Sequence, residues 1–230
     1  MPDISIIIPT LNEEAGIVTF LSELQSLRSQ CELILVDGSS DDATVRLATP
    51  LVDDVISSAR GRAIQMNSGA AMASKPVLLF LHSDTTLPDD AIKQIQDAIK
   101  NGHCWGRFDI HLVGKARLLS LVAWLMNQRS RWTGIATGDQ AIFVVKEVFD
   151  QVGGYADIAL MEDIDLSAKL KKVRKPYCIQ NKVKSSGRRW LSFGVLKTIC
   201  LMWWLRLRFF FGADPTQLEE HYRKGLFWKD

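Results

Sequence analysis

The chain has 230 residues, enough for one α/β domain with a substantial core, and nothing in its length demands a second domain. Hydrophobic residues make up 47% and charged residues 23%, which is ordinary for a soluble globular protein. The formal net charge of +2 is too small to indicate nucleic-acid binding, and the sequence contains no basic-aromatic motif of an RNA-binding domain.

The cysteines and the start of the chain bear on the cellular compartment. There is no C-x-x-C pair and no nearby histidine cluster; the cysteines are Cys31, Cys104, Cys178 and Cys200. This pattern indicates buried thiols in a reducing compartment, not a disulfide framework or a zinc site. No basic stretch followed by an apolar one begins the chain, so no signal peptide is predicted. We expect a cytoplasmic protein.

A β-α-β pattern opens the chain. Residues 4–8 are a β-branched run that Pro9 ends, and residues 33–36 are a second apolar run that a turn at 37–40 ends. Between the two runs, apolar side chains recur at helical spacing, namely Ile17, Phe20, Leu21, Leu24 and Leu27. A strand, a helix and a second strand are therefore predicted.

The same alternation continues through the first half. Residues 55–56 indicate a short strand, 63–73 a helix, 77–81 a buried strand and 89–100 another helix, which Gly102 ends. Alternating strands and helices are typical of an α/β layer of the nucleotide-binding type.

The second half is patterned differently. Residues 108–113 alternate as in a half-buried strand, 118–126 form an apolar helix, and 141–145 are a further buried strand. A break at 153–154 precedes an acidic cluster, 162–165, which opens a helix that ends in lysines, as the helix dipole favours. Since no linker or repeat separates the halves, we expect them to pack as one unit.

The end of the strand at 77–81 is the first candidate site. Five bulky residues in a row predict a strand buried on both faces, as in parallel sheets. Asp84 follows directly, which puts a carboxylate at the sheet edge where open α/β folds bind ligands. The alternative is that Asp84 caps the next helix, because residues 88–90 carry a helix-start signature.

Three acids follow strands or breaks in this way: Asp37, Asp84 and Asp163. Such a set suits transfer from a phosphorylated donor: one carboxylate holds a base or ribose and a second holds a divalent cation beside the departing diphosphate. The third accepts the proton of an incoming hydroxyl. Alternatively, Asp37 is a turn former before Gly38, and Asp163 is an acid favoured at a helix start.

Motifs at 5–14 and 36–44 resemble the opening of the family 2 glycosyltransferases, which have the GT-A fold. A further ordered set resembles the bacterial subgroup labelled selenodomain-associated transferases, and consists of residues 61–63, 67–69, 82–84, 138–140, 152–155, 160–163 and 186–190. The resemblance implies an α/β, GT-A-like fold: a Rossmann-like nucleotide-binding half with a mainly parallel mixed sheet, followed by a C-terminal amphipathic helical segment.

For the donor, the resemblance implies a nucleotide pocket lined by Pro9, Thr10, Leu11, Glu13 and Ser83. Asp37 would hydrogen-bond the base, expected to be the uracil of a UDP-sugar. Arg62 precedes a helix, and its guanidinium suits a donor phosphate. A solvated loop position is the alternative, and it is favoured for Arg60.

The resemblance also implies a divalent metal, Mn²⁺ or Mg²⁺. The strand end usually carries D-x-D in this family, and here the first acid is replaced by His82. The metal would therefore rest on Asp84, with His82 either a neutral imidazole ligand or a neighbour of the metal site. Because imidazole is a better ligand for Mn²⁺ than for Mg²⁺, the pair favours manganese. The sequence provides no convincing third ligand.

Asp163 matches the second acid of the family's Glu-Asp pair, which implies the general base of an inverting transfer. Glu162 is then a neighbour or an acceptor-binding group, and Asp139 and Gln140 are assigned to the acceptor as well.

Arg189 and Trp190 resemble the R-W of the family's Q-x-x-R-W element, with Ser186 where Gln is usual, and would contact the acceptor. The alternative is a structural arginine on the Trp190 face through a cation–π contact.

Two parts are predicted: a catalytic domain at 1–190, with a nucleotide-binding half at 1–100 and an acceptor-binding half at 101–190, and a tail at 191–230. The apolar stretch 191–211 is broken by basic residues and falls short of the roughly 20 apolar residues of a spanning helix. Aromatic residues beside bases suit a helix lying on the inner face of a membrane. A cover over the sheet or a dimer contact is the alternative.

The sequence therefore predicts an inverting, metal-dependent glycosyltransferase that moves a sugar from a nucleotide-sugar to an acceptor hydroxyl. The acceptor, whether a sugar, a lipid or a small molecule, and the oligomeric state are left open. One alternative is a nucleotidyltransferase, although the Gly-rich basic loop expected after the first strand is missing. The other is a membrane-associated nucleotide-sugar-binding protein with a degenerate site, which the presence of His82 makes plausible.

Overall fold

The computed structural model describes residues 4–116 and 118–225. Residues 1–3, 117 and 226–230, which fall within the predicted catalytic part and tail, lie outside the described residues. The strands are β1 (Ile4–Thr10), β2 (Cys31–Asp37), β3 (Asp54–Ser57), β4 (Val77–Phe80), β5 (Thr85–Thr86), β6 (Trp105–Val113), β7 (Phe143–Val145) and β8 (Tyr177–Ser186). The helices are α1 (Ile17–Leu24), α2 (Thr44–Ala48), α3 (Arg62–Met72), α4 (Ala91–Lys100), α5 (Leu118–Thr133), α6 (Lys146–Gln151), α7 (Glu162–Val173), α8 (Arg188–Phe193), α9 (Val195–Phe210) and α10 (Pro215–Lys224).

The strands form one mixed sheet in the order β3-β2-β1-β4-β7-β6-β8-β5. The first four run parallel; β7 is antiparallel to both of its neighbours, β6 and β8 are parallel, and β5 is antiparallel to β8. Thr10, Asp37 and Ser57 are register partners across β1, β2 and β3, so the carboxyl ends of these strands share one edge. The predicted α/β class with a mainly parallel mixed sheet is confirmed.

The core lies on both faces of the sheet, which explains why β1, β2 and β4 are mainly apolar. On one face Ile6 of β1 packs with α1 and α4, and on the other Ile7 packs with α3 and α7. The helix α3 approaches the sheet closely at Gly69, where a Cβ atom would come within 2.5 Å of Ile7 and 2.9 Å of Val36. A larger residue at this position would separate α3 from β1 and β2.

The structure differs from the predicted elements around residues 84–91 and 138–145. Helix α4 begins at Ala91 and β5 precedes it, so Asp84 does not cap this helix and that alternative is wrong. The strand predicted at 141–145 starts at Phe143, because residues 138–140 form a 3₁₀ turn and Ala141 has a left-handed φ of 49°.

Strand β8 was not predicted, and the helix predicted at 118–126 was too short. Six of the ten residues of β8 are polar and half are exposed, so it lacks the apolar signal of the central strands. Helix α5 extends to Thr133, seven residues beyond the predicted end at Met126, because its second half buries the polar residues Asn127 and Ser130.

The tail is three helices where the sequence indicated one. Gly194, with a φ of 85°, separates α8 from α9, and Asp214 accepts the Thr216 amide to cap α10. The predicted boundary at residue 190 falls within α8. Leu201, Leu205 and Leu218 of α9 and α10 are buried against the segment that precedes α7. In the part of the chain that the structure describes, no helix combines the length and apolarity needed to cross a membrane.

Candidate active site

A cavity of about 250 Å³ opens beyond the carboxyl end of β4. Its walls come from the ends of β4 and β8, from the first turn of α7, and from α5, α8, α9 and α10. Eight of the residues predicted from the sequence line it, namely Arg62, His82, Asp84, Asp139, Glu162, Asp163, Arg189 and Trp190. Segments more than 100 residues apart in the chain, from residue 62 to residue 190, thus meet at one site.

Gly138 is the point at which the strand end and the helix start meet. Its amide donates a hydrogen bond to Oδ2 of Asp163 at 2.8 Å. A Cβ atom at Gly138 would lie 2.7 Å from both Cε1 and Nε2 of His82, so the imidazole packs directly against the glycine backbone. The motif at 138–140 therefore holds a candidate metal ligand and the candidate base in fixed relation.

His82 and Asp84 differ in their surroundings. Burial and the nearby positive charge of Arg62 lower the pKa of His82 to about 3, so its imidazole is neutral at physiological pH. Asp84 is exposed, and the contact recorded for its carboxylate is a long hydrogen bond of 3.4 Å from the Thr85 hydroxyl. A neutral imidazole and an exposed carboxylate are both available as ligands.

These two side chains fit a divalent cation only in part. Within residues 4–116 and 118–225, no group of three or more His, Cys, Asp or Glu is placed to hold a metal ion. Mg²⁺ is commonly bound by one or two carboxylates together with substrate phosphates, and imidazole suits Mn²⁺. His82 and Asp84 therefore fit a cation that is shared with a bound diphosphate, not one that the protein holds alone.

Asp163 and Glu162 occupy the first turn of α7, where the helix dipole favours negative charge. The Asp163 carboxylate accepts the Ile164 amide at 2.7 Å in addition to the Gly138 amide, so the helix-start alternative describes its position correctly. It nevertheless lines the cavity. Glu162 is only 5% exposed, and burial together with the charge of Asp163 raises the pKa of Glu162 to about 7, although Arg62 opposes this shift.

Arg62 brings a cation to the same wall of the cavity. Desolvation lowers its pKa, but Tyr222 and the carboxylates of Glu162, Asp163 and Asp84 outweigh this effect and raise it. Arg60 instead forms an exposed ion pair with Asp41 at 3.0 Å, which is the solvated position expected for it.

The predicted nucleotide pocket lies at the neighbouring strand ends, outside the cavity lining. Thr10 and Asp37 are register partners, and the Gly38 amide donates to the Thr10 carbonyl at 2.9 Å. The buried Asp37 carboxylate accepts the amide of Ser40 at 2.9 Å and its hydroxyl at 2.5 Å, so it shapes the turn as the alternative proposed. Pro9 is buried beside Thr10, Leu11 is exposed, and Glu13 and Ser83 are half-buried.

Asp139 and Gln140 lie in different surroundings. Gln140 is completely buried and is not among the residues that line the cavity, and its Oε1 accepts the amide and the hydroxyl of Thr137. Its predicted role in acceptor binding stays a prediction. Asp139 lines the cavity, where its Oδ1 is buried without a hydrogen-bond partner among the described residues. Burial raises the pKa of Asp139.

Arg189 makes cation–π contacts, but with different rings from the one predicted. Its guanidinium lies 3.5 Å from the ring centroid of Tyr222 and 5.2 Å from that of Phe193, and it donates to the Tyr222 carbonyl. Trp190 instead packs half-buried on the core and lines the cavity. Arg189 thus ties α8 to α10 across the mouth of the site.

The comparison with protein families gives a match over residues 5–141 to the glycosyl transferase family 2. This match spans more than half of the chain. The chain belongs to glycosyl transferase family 2. The predicted family is confirmed, whereas the selenodomain-associated subgroup stays a prediction. A search of curated proteins finds no match.

Solved structures of three proteins illustrate the fold of this family 2 chain. Residues 1–349 of S. aureus TarS, in complex with UDP-GlcNAc, have a TM-score of 0.65 at 15% identity, over 80% of this chain and 58% of that one. The mannosyltransferase PcManGT from Pyrobaculum calidifontis, in complex with GDP-Man and Mn²⁺, has a TM-score of 0.59 at 19% identity, over 80% and 56%.

The third is glucosyl-3-phosphoglycerate synthase from Mycobacterium tuberculosis, in complex with Mn²⁺, UDP and glucosyl-3-phosphoglycerate. Its TM-score is 0.57 at 18% identity, over 79% of this chain and 70% of that one. The chain therefore spans less than two thirds of the TarS fragment and of PcManGT. At these identities the similarity establishes the fold alone, and the predicted GT-A fold is confirmed.

Four residues of this family 2 site were missed from the sequence. Arg129, Arg206 and Tyr222 line the cavity from α5, α9 and α10. Gln65 of α3 lies at the nucleotide edge, where its Nε2 donates to the carbonyls at positions 10 and 36, both at 2.8 Å. An arginine that interrupts an apolar helix is a usable signal for Arg206. Arg129, Gln65 and Tyr222 carry no comparable pattern.

Proposed function

We propose that the chain transfers a sugar from a nucleotide-sugar, expected to be a UDP-sugar, to an acceptor hydroxyl with inversion of configuration. One observation carries the proposal: a carboxylate at a helix start, Asp163, shares a cavity with an arginine and with a histidine–aspartate strand end. The cavity therefore places a proton acceptor and a set of side chains that can bind a diphosphate close enough to contact the same substrate.

The donor end of the cavity is formed by Arg62, His82 and Asp84. Arg62 supplies hydrogen-bond donors for the diphosphate, since a guanidinium matches phosphate geometry. A divalent cation held by Asp84 and His82 would offset the charge of the leaving diphosphate. Two of the similar structures are complexes that contain Mn²⁺, one together with GDP-Man and one together with UDP, which supports a metal here. Pro9, Thr10, Leu11, Glu13 and Asp37 line the neighbouring edge at which the base would lie, together with Ser83.

Asp163 acts as the general base. Its carboxylate takes the proton of the acceptor hydroxyl while that oxygen attacks the anomeric carbon, and the bond from this carbon to the diphosphate oxygen breaks with its electron pair leaving on the diphosphate. Attack opposite the leaving group inverts the configuration, and no protein nucleophile is required. The amides of Gly138 and Ile164 orient this carboxylate. Asp139, Glu162, Arg189 and Trp190 surround the acceptor.

The test is the Asp163→Asn variant, assayed for release of UDP from UDP-sugars and, separately, for UDP binding. We expect turnover to be lost while UDP still binds. Asp165→Asn is the matched control, because Asp165 lies one half-turn along the same helix in an ion pair with Lys169 and is not part of the cavity wall. Loss of UDP binding together with turnover would contradict the assignment. UDP-sugar binding without any turnover of the native chain would favour the nucleotide-sugar-binding alternative.

We infer that the cavity opens beside a membrane-binding surface. Large apolar side chains on α5, α8, α9 and the residue that follows α9 are strongly exposed: Leu121, Trp124, Trp132, Leu191, Leu196, Trp203, Leu207, Phe210 and Phe211. The helices α5 and α8 both contact α9, and soluble monomers rarely expose so many large apolar side chains on neighbouring helices. The exposed bases Lys197 and Arg208 lie among them, which suits anionic headgroups.

Deleting residues 191–230 would remove buried packing as well, so point variants make the cleaner test. Phe210 and Phe211 are 81% and 75% exposed, and the double change Phe210→Glu/Phe211→Glu should abolish flotation with anionic liposomes. Met72→Glu is the control, since Met72 is 60% exposed at the far end of α3. Equal flotation of all three proteins, or none by the native chain, would reject the surface.

A further inference from the structure

Arg129 is a buried cation without a partner. It lies on α5 and lines the cavity, yet its three guanidinium nitrogens touch neither solvent nor a hydrogen-bond acceptor among the described residues. A guanidinium has five donors, and desolvating them without acceptors costs free energy. Burial, with smaller effects from Arg206 and Arg107, lowers the pKa of Arg129 to about 10, so the side chain still carries its charge at neutral pH.

Arg206 brings a second cation to the same space from α9. It lines the cavity, and within residues 4–116 and 118–225 it forms no hydrogen bond or ion pair. Its charge acts on Arg129, so the two like charges lie within electrostatic range of each other at the cavity. Asp139 and Asp163 attract both arginines without forming an ion pair with either one. A desolvated guanidinium beside a second arginine is an arrangement that a bound anion would stabilise.

The two arginines reach the cavity from other elements than the donor end does. Arg129 comes from α5 and Arg206 from α9, whereas Arg62, His82 and Asp84 come from the start of α3 and from the residues that follow β4. Asp163 acts electrostatically on all three arginines, so the candidate base lies within range of both groups. An anion at the second group is therefore a part of the molecule that meets the donor sugar, not a part of the donor.

We propose that Arg129 and Arg206 form a subsite for a phosphoryl group on the acceptor. The inference rests on the proposed transfer, since it names the chemical class of the acceptor that Asp163 deprotonates. A phosphoryl group carries close to two negative charges and several acceptor oxygens, which match two guanidinium groups. The adjoining walls are apolar, from Leu125, Met202 and Trp203. The phosphoryl group can belong to a water-soluble phosphate ester or to a lipid headgroup, and the two sources are separated below.

The first experiment titrates inorganic phosphate into UDP-saturated protein by calorimetry, without metal. We expect one site that Arg129→Gln and Arg206→Gln each weaken by about tenfold or more, the size of one charge-assisted hydrogen bond. Arg46→Gln is the control, because Arg46 is an exposed arginine on α2 and is outside the cavity lining. It should bind phosphate like the native chain.

The second experiment measures flotation with phosphatidylcholine vesicles that contain or lack phosphatidic acid. If the headgroup is the source, phosphatidic acid strengthens flotation of the native chain and Arg129→Gln removes this gain. If a soluble ester is the source, inorganic phosphate binds to the native chain, and phosphatidic acid strengthens flotation of the native chain no more than that of Arg129→Gln.

Three results would overturn the proposal: no phosphate or phosphatidic acid dependence in the native chain, unchanged binding by both arginine variants, or displacement of phosphate by UDP. A folding defect is told apart by thermal denaturation, where removing an unpaired buried charge should leave the melting temperature unchanged or raise it. Failure of UDP itself to bind would overturn the proposed transfer, and the phosphate titration of the UDP-free protein would still decide the subsite.

Discussion

Gly138 connects the two chemical ends of the site through backbone and van der Waals contact. Its amide holds Asp163, and its Cα faces the edge of the His82 ring that carries Nε2. Position 138 has no side chain, and both contacts form only because of this. A single methyl group is therefore a sensitive probe of the distance between the donor end and the base.

We predict that Gly138→Ala lowers the turnover number by about 100-fold, because a new Cβ atom 2.7 Å from the imidazole must displace His82 or the turn. Turnover of a UDP-sugar, measured beside UDP binding, reports the change. Gly16→Ala is the control, since a Cβ atom there meets nothing within 4 Å. Native turnover by Gly138→Ala would mean that the His82 position does not matter.

Because the Glu162 carboxyl group is buried, we expect the stability of the protein to depend on pH. Burial and the charge of Asp163 raise the pKa of Glu162 from 4.5 to about 7, while Arg62 opposes and Tyr155 is also close. The folded state then binds the proton more tightly than the unfolded state. Its contribution to stability is complete below pH 4.5 and is lost as the pH rises to 7, in total on the order of 3 kcal/mol.

Glu162→Gln should remove this slope and stabilise the protein at pH 8 relative to the native chain. Urea denaturation at several values of pH between 4 and 8 measures it. Asp165→Asn should keep the native slope. If Glu162→Gln and the native chain lose stability in parallel between pH 4.5 and 7, the burial of Glu162 does not have the stated consequence.

At the residue scale, the sequence identified the acids but not their partners. Asp84 and Asp163 stand out because each follows a strand or a break at a sheet edge. Arg129 and Gln65 do not, since a polar residue in a helix has the same local pattern whether it faces solvent or a cavity. Which of these it faces depends on the packing of distant segments.

The contact between β6 and α5 relies on a buried charged network. Arg107 is completely buried; it pairs with Asp109 and donates to the Ser130 hydroxyl at 3.0 Å and to the Asn127 carbonyl at 3.1 Å. Arg131 from the end of α5 pairs with the same aspartate. These bonds fix the helix that carries Arg129 and the exposed apolar residues near the cavity.

Arg107→Leu is expected to lower the free energy of unfolding by about 3–5 kcal/mol, because it leaves buried polar partners without their donor. Arg131→Gln should cost much less, about 1 kcal/mol, since Arg131 is 28% exposed. Chemical denaturation compares the two. Equal, small losses would show that the β6–α5 contact does not depend on this network.

At the element scale, the strands that the sequence predicted are the ones rich in apolar residues. β1, β2 and β4 were predicted because they are buried on both faces and therefore mainly apolar. β8 was missed because six of its ten residues are polar, and its position is set by parallel pairing with β6. The break at Gly194 was missed because one apolar helix and two adjoining ones have the same composition.

Across the whole molecule, the order of the motifs predicted the fold and the grouping of Arg62, His82 and Asp84 at one cavity, but not the part of the cavity wall that α9 and α10 form. α9 and α10 fold back from the end of the described chain and bring Arg206 and Tyr222 to the cavity. No local pattern predicts the position of these two helices, because it depends on the packing of Leu201, Leu205 and Leu218 against the segment before α7.

Binding of UDP and a metal ion to this site should raise the stability of the whole chain, because only the folded state brings the binding residues together. We predict that UDP with Mn²⁺ raises the melting temperature more than UDP with Mg²⁺, since a neutral imidazole beside Asp84 favours the softer ion. His82→Asp supplies a second carboxylate and should reverse or abolish this preference. Ser83→Ala, between the two candidate ligands, should retain it. An identical order of the two metals in the native chain and in His82→Asp would exclude His82 from the metal site and leave Asp84 to act without it.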